Sequence, residues 1–293
     1  MDHRGATAMP TLDWIGKKAV LNHHREVPYH LLKCDKEHSV GDPGSGNLLV
    51  EGDNLLALKA LLPYYAGKVK CIYIDPPYNT GNENWVYNDN TNSPEIRQWL
   101  QQVVGKEGDD LSRHDKWLCM MYPRLRLLRE FLTKDGAVFI SIDDNEVHNL
   151  RTLMDEVFGP TKFIATIAWQ KRYSRENRAA IGDAHEYILV YASDPEKFKH
   201  SRHKIPMDEK QNKLFKNPTN DLRGPWQSVS LNAQGYRPNQ MYEIIAPNGN
   251  RHKPPDGRCW SLIESEYRKL VDDQRIWFGA DGNGVPRLIM FRD

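Results

Sequence analysis

The chain has 293 residues, of which 39% are hydrophobic and 27% are charged, with 40 Lys and Arg against 39 Asp and Glu. This is the composition of a soluble globular protein with one large domain or two modest ones. Its longest apolar runs fall far short of the roughly 20 residues that a membrane helix needs, so a transmembrane protein is excluded. The start of the chain lacks a signal-peptide core, and the 4 scattered cysteines are typical of reduced thiols. We therefore expect a cytoplasmic protein without membrane contact.

The net charge of +1 conceals an asymmetry along the chain. Residues 1–160 carry 18 basic and 23 acidic side chains, whereas residues 161–293 carry 22 and 16. The first part is therefore acidic and the second part is basic. The basic part is predicted to be the one that meets a polyanion.

Regular structure is expected to begin after a lead-in. Residues 1–46 are weakly patterned and end in a run of turn-forming residues. Leu48–Val50 predicts a short strand because it is an apolar run bounded by glycine. Asp53 and Asn54 then open a stretch with leucines at helical spacing, which is the pattern of an N-cap and its helix.

The next strand is followed by a long polar loop. Val69–Ile74 has the β-branched and aromatic content of a buried strand, and Pro76 and Pro77 must end its hydrogen-bond ladder. Residues 75–92 are polar and rich in Asn, and loops of this length are usually functional or disordered. His114–Leu132 is strongly periodic and predicts a long helix.

Further strands are predicted at Ala137–Ile142, Lys162–Trp169 and Glu186–Ala192. Asp143 and Asp144 follow the first of these. We interpret them as the cap of the next helix rather than as a pair of catalytic carboxylates. Apolar strands that alternate with helices indicate a mostly parallel sheet covered by helices.

The alternation of strands and helices ends near residue 193. Residues 47–193 are therefore predicted to form an α/β domain, and residues 194–293 an irregular region of short strands and turns. The basic run from Lys171 to Arg178, interleaved with Tyr173, is either a loop that grips phosphates or a plain solvated loop.

No metal site is predicted. His23, His24, His200 and His203 stand in pairs, but no carboxylate or cysteine lies beside them at ligand spacing. We interpret all of them as solvated surface histidines.

The clearest chemistry follows the strand at Val69–Ile74, because ligands of open α/β sheets bind beyond the carboxyl ends of the strands. The Asp75 carboxylate and a peptide carbonyl held rigid by Pro76 and Pro77 offer two acceptors for the two hydrogens of an exocyclic amine. Tyr78 offers a flat face for a base. Such a site would hold a nucleobase amino group and aim its nitrogen at an electrophilic methyl group, through positioning and electrostatics. A base in a duplex reaches it only by flipping out.

These residues and several later blocks, in the same order, resemble the amino-methylating DNA methyltransferases. The resemblance is closest to the modification subunits of type III restriction–modification systems and covers roughly residues 47–293. It implies a partial Rossmann-like, S-adenosylmethionine-dependent methyltransferase sheet of α/β class, followed by an irregular mixed α+β target-recognition region. The blocks are Asp75–Gly81, Met120–Leu125, Asp135–Gly136, Ile140–Glu146, His185–Tyr191, Gly257–Trp260 and Arg275–Gly279.

The resemblance implies roles for individual residues. Asp75 and the Pro76 carbonyl would accept hydrogen bonds from the target amine, and Tyr78 would stack on the flipped base. Asn79 would shape the pocket, and Asp53 would approach the cofactor, although Asp53 is also explained as nothing more than an N-cap. Asp as the first residue of the tetrapeptide favours adenine N6 over cytosine N4. The implied catalytic residues are Asp75, Pro76, Pro77 and Tyr78, and the implied cofactor contacts are Asp75, Pro76, Tyr78, Asn79 and Asp53.

The resemblance also implies an activity and partners. The chain would transfer methyl from S-adenosyl-L-methionine to adenine N6 in double-stranded DNA, as the modification component of a restriction–modification system. A restriction helicase-nuclease and either a homodimer or a complementing C-terminal half are the implied partners.

One expected feature of this family is missing from the sequence. No Phe-x-Gly-x-Gly turn, which approaches the methionine part of the cofactor, follows the target-reading region. We therefore expect a truncated chain or one half of a split enzyme. A catalytically incomplete DNA-binding or assembly module and an RNA methyltransferase stay open as alternatives.

Overall fold

The computed structural model describes residues 11–80, 98, 100–102, 112–173, 182, 184–203 and 205–292. The chain divides into two compact units, residues 1–203 and 204–293. Parts of two predicted features, residues 81–92 of the polar loop and residues 174–178 of the basic run, lie outside the described residues.

The first unit follows the predicted order of elements closely. Its helices are α1 (Lys17–Val20), α2 (His23–Glu26), α3 (Asn54–Tyr65), α4 (Arg113–Phe131), α5 (Val147–Phe158) and α6 (Pro195–Ser201). Its strands are β1 (Val69–Ile74), β2 (Leu132–Ile142), β3 (Phe163–Gln170) and β4 (His185–Ala192). The prediction of a strand at Leu48–Val50 is wrong. These residues have irregular backbone, and an apolar run becomes a strand only where a neighbouring strand completes its ladder.

The four strands form one mixed sheet in the order β1-β2-β4-β3. β1 and β2 run parallel, with Ile74 beside Ile140. β4 runs antiparallel to both of its neighbours, so the sheet is not mostly parallel as expected. The apolar pattern of a strand reports which faces are buried and carries no information about its direction, which explains the difference.

The helices α3, α4 and α5 pack on one face of this sheet. Ile72, Ile140 and Leu189 point from neighbouring strands into a core that is shared with α3, α4 and α5. On the opposite face Tyr73 is 60% exposed and Trp169 is 56% exposed. The strands are apolar on both faces, as predicted, and the second face is buried at Ala137 and Val190 but open at Tyr73 and Trp169.

The N-terminal helices α1 and α2 belong to the same unit. The Trp14 indole donates to Cys119 Sγ of α4 at 3.3 Å. Lys17 Nζ donates to Glu156 Oε2 of α5 at 2.8 Å. Part of the predicted lead-in is therefore packed against the helices of the α/β domain.

His24 of α2 is 3% exposed, which corrects its interpretation as a surface histidine. The Lys59 ammonium donates to the His24 carbonyl at 3.0 Å. Burial, helped by the positive charges of Arg126, Arg25 and Lys59, lowers the pKa of His24 from 6.5 to about 4. Adjacent histidines such as His23 and His24 suggest a polar surface. The sequence does not show which residue of a short helix faces the core.

We expect the unfolding free energy of the first unit to fall as the pH falls from 6.5 to 4. In this window the unfolded chain binds a proton at His24 and the folded chain does not, so acid favours unfolding by up to about 3 kcal/mol. Urea unfolding at several pH values measures the slope. His24→Gln should flatten it, and His38→Gln, at an exposed histidine, should not. An equal slope in wild type and His24→Gln would contradict the expectation.

The second unit consists of short strands, turns and short helices, as the resemblance implied. Its strands are β5 (Trp226–Ser230), β6 (Asn232–Gln234), β7 (Ile244–Ile245), β8 (Arg251–His252), β9 (Arg258–Trp260), β10 (Ile276–Trp277) and β11 (Arg287–Phe291). Its helices are α7 (Glu209–Asn212) and α8 (Glu264–Asp272). They surround a small core of Leu231, Ile244, Trp260 and Tyr267. No helix in the described parts of the chain is long and apolar enough to cross a bilayer.

Candidate active site

The predicted tetrapeptide lies at the edge of the sheet where the two parallel strands end. Asp75 follows β1 directly, and Asp143 and Asp144 follow β2. His185 begins β4 at the same edge, because β4 runs antiparallel to β2 with Tyr187 beside Ile142. Three segments that are far apart in sequence therefore meet there, at the place predicted for a ligand.

The Pro76-Pro77 pair is held from below by α4. Trp117 is fully buried in this helix, and its indole N–H donates to the Pro77 carbonyl at 2.6 Å. The Pro77 carbonyl is therefore committed to the protein interior. This is compatible with the implied role of the Pro76 carbonyl as the acceptor that faces the substrate.

Tyr78 is half-buried and packs against the core of the first unit. The exposed Asp75 carboxylate and Ser141 are close enough to its hydroxyl to shift its pKa. Burial, the bond to Asp75 and the negative charges of Asp75 and Glu186 raise the pKa of Tyr78 well above its usual 10. The phenol is therefore neutral at physiological pH and can donate to Asp75.

Asn79 directs its side chain into the protein. Its backbone has φ 58, a left-handed conformation that Asn tolerates better than most residues. The amide nitrogen donates to the Arg113 carbonyl at 3.2 Å and to the Glu146 carboxylate. Asn79 thus anchors the loop after the tetrapeptide to two other segments.

Glu146 was not singled out from the sequence. The cap predicted at Asp143 and Asp144 is wrong, because Glu146 occupies the N-cap position of α5 and its side chain makes no cap bond. The Asp143 carboxylate accepts from the Asn145 N–H at 2.9 Å and forms a local turn. The Asp144 carboxylate accepts from the Tyr187 hydroxyl at 2.8 Å. The one sequence signal for Glu146 is its position at the start of an amphipathic helix. The same position is typical of a helix cap, so the signal does not identify Glu146 as part of the site.

Asp53 is the N-cap of α3. One carboxylate oxygen accepts from the Leu55 and Leu56 amides at 2.9 and 3.1 Å, and the other lies 3.9 Å from Arg124. Among the described residues no hydrogen bond or ion pair joins Asp53 to the tetrapeptide. A contact between Asp53 and the cofactor stays a prediction.

Within the described ranges no group of three or more His, Cys, Asp or Glu side chains is placed to hold a metal ion. The edge does carry the carboxylates of Asp75, Asp144 and Glu186. It can therefore accept hydrogen bonds from an amine and stabilise a cation.

Comparison with known proteins defines the class of this protein. Residues 69–256 match the family model of the N6 and N4 methyltransferases, described as DNA methylase. The chain belongs to this DNA methylase family, and the resemblance found in the sequence is confirmed.

The similar proteins include type III modification subunits. The StyLTI Mod subunit of Salmonella typhimurium is 35% identical over 300 residues, which is 96% of this chain and 44% of the relative. The EcoPI Mod subunit of Escherichia phage P1 is 41% identical over 199 residues, 63% of this chain and 30% of the relative. The chain therefore spans less than half the length of these relatives. The cytosine-N4-specific PvuII DNA methyltransferase is 11% identical, with a TM-score of 0.31 over 47% of each chain.

Proposed function

We propose that this chain holds the target base in a DNA methyltransferase that methylates adenine N6 in double-stranded DNA. It would act in the cytoplasm as the modification component of a restriction–modification system. The observation that carries the proposal is the Asp75–Tyr78 tetrapeptide, fixed at the carboxyl end of β1 in a member of the DNA methylase family. A homodimer and a restriction helicase-nuclease partner belong to the same proposal, because relatives are named Mod subunits of type III restriction–modification enzymes.

The proposed chemistry uses the residues of the sheet edge. The Asp75 carboxylate and the Pro76 carbonyl accept the two N–H groups of the adenine amine and fix the direction of its nitrogen. As the nitrogen takes the methyl group from the donor it becomes positive, the adjacent Asp75 carboxylate stabilises that charge, and the surplus N–H proton then leaves to solvent. The neutral Tyr78 ring supplies the stacking face for the flipped base.

S-adenosyl-L-methionine, when bound, supplies an electrophilic methyl group on a sulfonium cation. The carboxylates of Asp75 and Glu186 make the edge chemically suitable for a cationic donor. We propose that Asp75, Pro76, Tyr78 and Asn79 hold the donor, and that the outer carboxylate oxygen of Asp53 contributes.

The test is methyl transfer from labelled S-adenosylmethionine by the purified chain. A duplex DNA of mixed sequence and an RNA duplex of the same sequence serve as acceptors. We expect label in N6-methyladenine of the DNA after digestion and mass spectrometry. Label in N4-methylcytosine would overturn the choice of base, and label in RNA would overturn the choice of nucleic acid. If the chain showed no transfer and no cofactor binding even at high cofactor concentration, the claim that it is a self-sufficient enzyme would be overturned.

A second candidate function is that of one half of a split methyltransferase, completed by another polypeptide segment. The exposed part of the sheet face that carries Tyr73 and Trp169 favours it. Tyr73 and Trp169 on this face are apolar and exposed, and β1 is an edge strand. Open edges and exposed apolar faces invite a further layer or strand. Transfer that appears only when the C-terminal part of a type III relative is added as a separate chain would support this candidate. Full transfer by the chain alone would contradict it.

Substitutions of Tyr78 separate its ring from its hydroxyl. Tyr78→Phe keeps the stacking face and removes the bond to Asp75, so we expect transfer within a few-fold of wild type. Tyr78→Ala removes the face, and the loss of base stacking should lower transfer about 10- to 100-fold. Initial rates with a fixed duplex measure both. Equal losses in the two variants would show that the hydroxyl, and not the ring, is what matters.

A further inference from the structure

We propose that Glu146 is a positioning residue for the Asp75–Tyr78 tetrapeptide and that it acts through Asn79. The inference rests on the proposed function, since the position of the tetrapeptide matters for chemistry only if the tetrapeptide holds the base. Glu146 itself lies beneath the loop and contacts the tetrapeptide through its neighbour.

The Glu146 carboxylate is completely buried and has three polar partners, the side chains of Asn79, His114 and Asn149. One oxygen accepts from the Asn79 amide and lies 2.6 Å from His114 Nδ1. The other accepts from Asn149 Nδ2 at 2.8 Å. A buried carboxylate is stabilised only where its lone pairs are satisfied, so this group requires its donors in fixed places.

These bonds tie three segments together at one buried point. Asn79 belongs to the loop after β1, His114 to the first turn of α4, and Glu146 to the turn before α5. The same first turn of α4 offers the Arg113 carbonyl to Asn79. The C-terminal half of the tetrapeptide is therefore held on both sides. Trp117 bonds to Pro77, and Glu146 bonds to Asn79, the residue that follows the tetrapeptide.

The carboxylate is suited to this place because it offers acceptors only. Glu146→Gln keeps one oxygen for Asn79 and His114, and the half-buried Asn149 can turn its own amide to accept from the new NH2 group. Glu146→Ala leaves the Asn79 amide with one acceptor fewer and removes the bond between Glu146 and His114, while the bond from Asn79 to the Arg113 carbonyl remains. The two substitutions therefore differ in whether the loop is also held from the start of α5.

The first experiment measures the loop without using activity. The indole proton of Trp117, assigned in NMR spectra with Trp117→Phe, reports its bond to Pro77. In Glu146→Ala we expect this proton to exchange with deuterium at least about tenfold faster, and in Glu146→Gln we expect wild-type protection. Glu156→Ala is the matched control, because Glu156 lies on α5 and pairs with Lys17. Wild-type protection in Glu146→Ala would overturn the proposal even if the protein methylates no DNA.

The second experiment measures transfer. Glu146→Ala should lower kcat about 10- to 100-fold with little change in KM for duplex DNA, and Glu146→Gln should recover most of that loss. Asn79→Gly removes the same link, and glycine suits the left-handed backbone. The double variant with Glu146→Ala should therefore be no slower than the slower of the two single variants. Additive losses, or a change confined to KM, would overturn the action through Asn79. If Glu146→Ala does not fold, faster exchange of the indole proton in Asn79→Gly would support the proposal, and wild-type protection in that variant would overturn it.

Discussion

Asp75→Asn should lower methyl transfer by about 10²- to 10³-fold or more and leave the folded protein intact. The Asp75 side chain is exposed, and its contact with Tyr78 is made by a hydroxyl that can turn to other acceptors. Its removal therefore changes the free energy of unfolding by no more than an ordinary surface substitution, about 0.5 kcal/mol. Asparagine keeps the shape but replaces one acceptor oxygen by a donor that opposes the target amine, and it cannot stabilise the charge on the methylated nitrogen.

Asp144→Asn is the matched control for this prediction. Asp144 is an exposed carboxylate at the same sheet edge, and it accepts a hydrogen bond from Tyr187. We expect transfer within a few-fold of wild type. Single-turnover rates with saturating cofactor and DNA isolate the chemical step. If Asp75→Asn kept its rate, Asp75 would not hold the amine. If both variants lost the same fraction of the transfer rate, the two carboxylates would act together and Asp75 would have no special role.

The strand and tetrapeptide could be predicted because both depend on adjacent residues. The β-branched run of Val69–Ile74 favours a strand wherever it lies, and Pro76 and Pro77 end a ladder because they lack N–H groups. The helix at His114–Leu132 was equally accessible, since its apolar residues recur with the helical period. Its observed start at Arg113 follows from the Ser112 and Asp115 capping box.

The supports of the loop could not be predicted, because they join residues that are distant in sequence. Trp117 is 40 positions from Pro77, and Glu146 is 67 positions from Asn79. A tryptophan within a periodic helix is explained by the core alone, and a glutamate at a helix start is explained by capping. Only the folded chain shows that both side chains bond to the loop.

The direction of strands was inaccessible for a related reason. Ile188 and Val190 of β4 are as apolar as the residues of β2, whichever way the strand runs. The exposure of Trp169 could not be predicted either. An apolar residue in a strand indicates a buried side chain, but the sequence does not show whether another segment covers it.

Trp117→Ala should destabilise the first unit by about 3–5 kcal/mol, the usual effect of removing a large buried aromatic side chain. Trp117 is completely buried among the core residues of α4. Trp169→Ala is the matched control, because Trp169 is 56% exposed on the open sheet face. We expect its effect to stay within about 1 kcal/mol. Urea unfolding, followed by far-UV circular dichroism, measures both.

Trp117→Phe isolates the hydrogen bond from the packing. Phenylalanine fills much of the same space but gives the Pro77 carbonyl no donor, which should destabilise the unit by about 1–3 kcal/mol. Because the lost bond lies directly beneath the tetrapeptide, transfer should fall in conditions where the variant is fully folded. A variant with normal transfer and lowered stability would mean that Trp117 supports the core alone and that the loop is positioned from the Asn79 side. Normal stability in Trp117→Ala would contradict the burial on which both predictions depend.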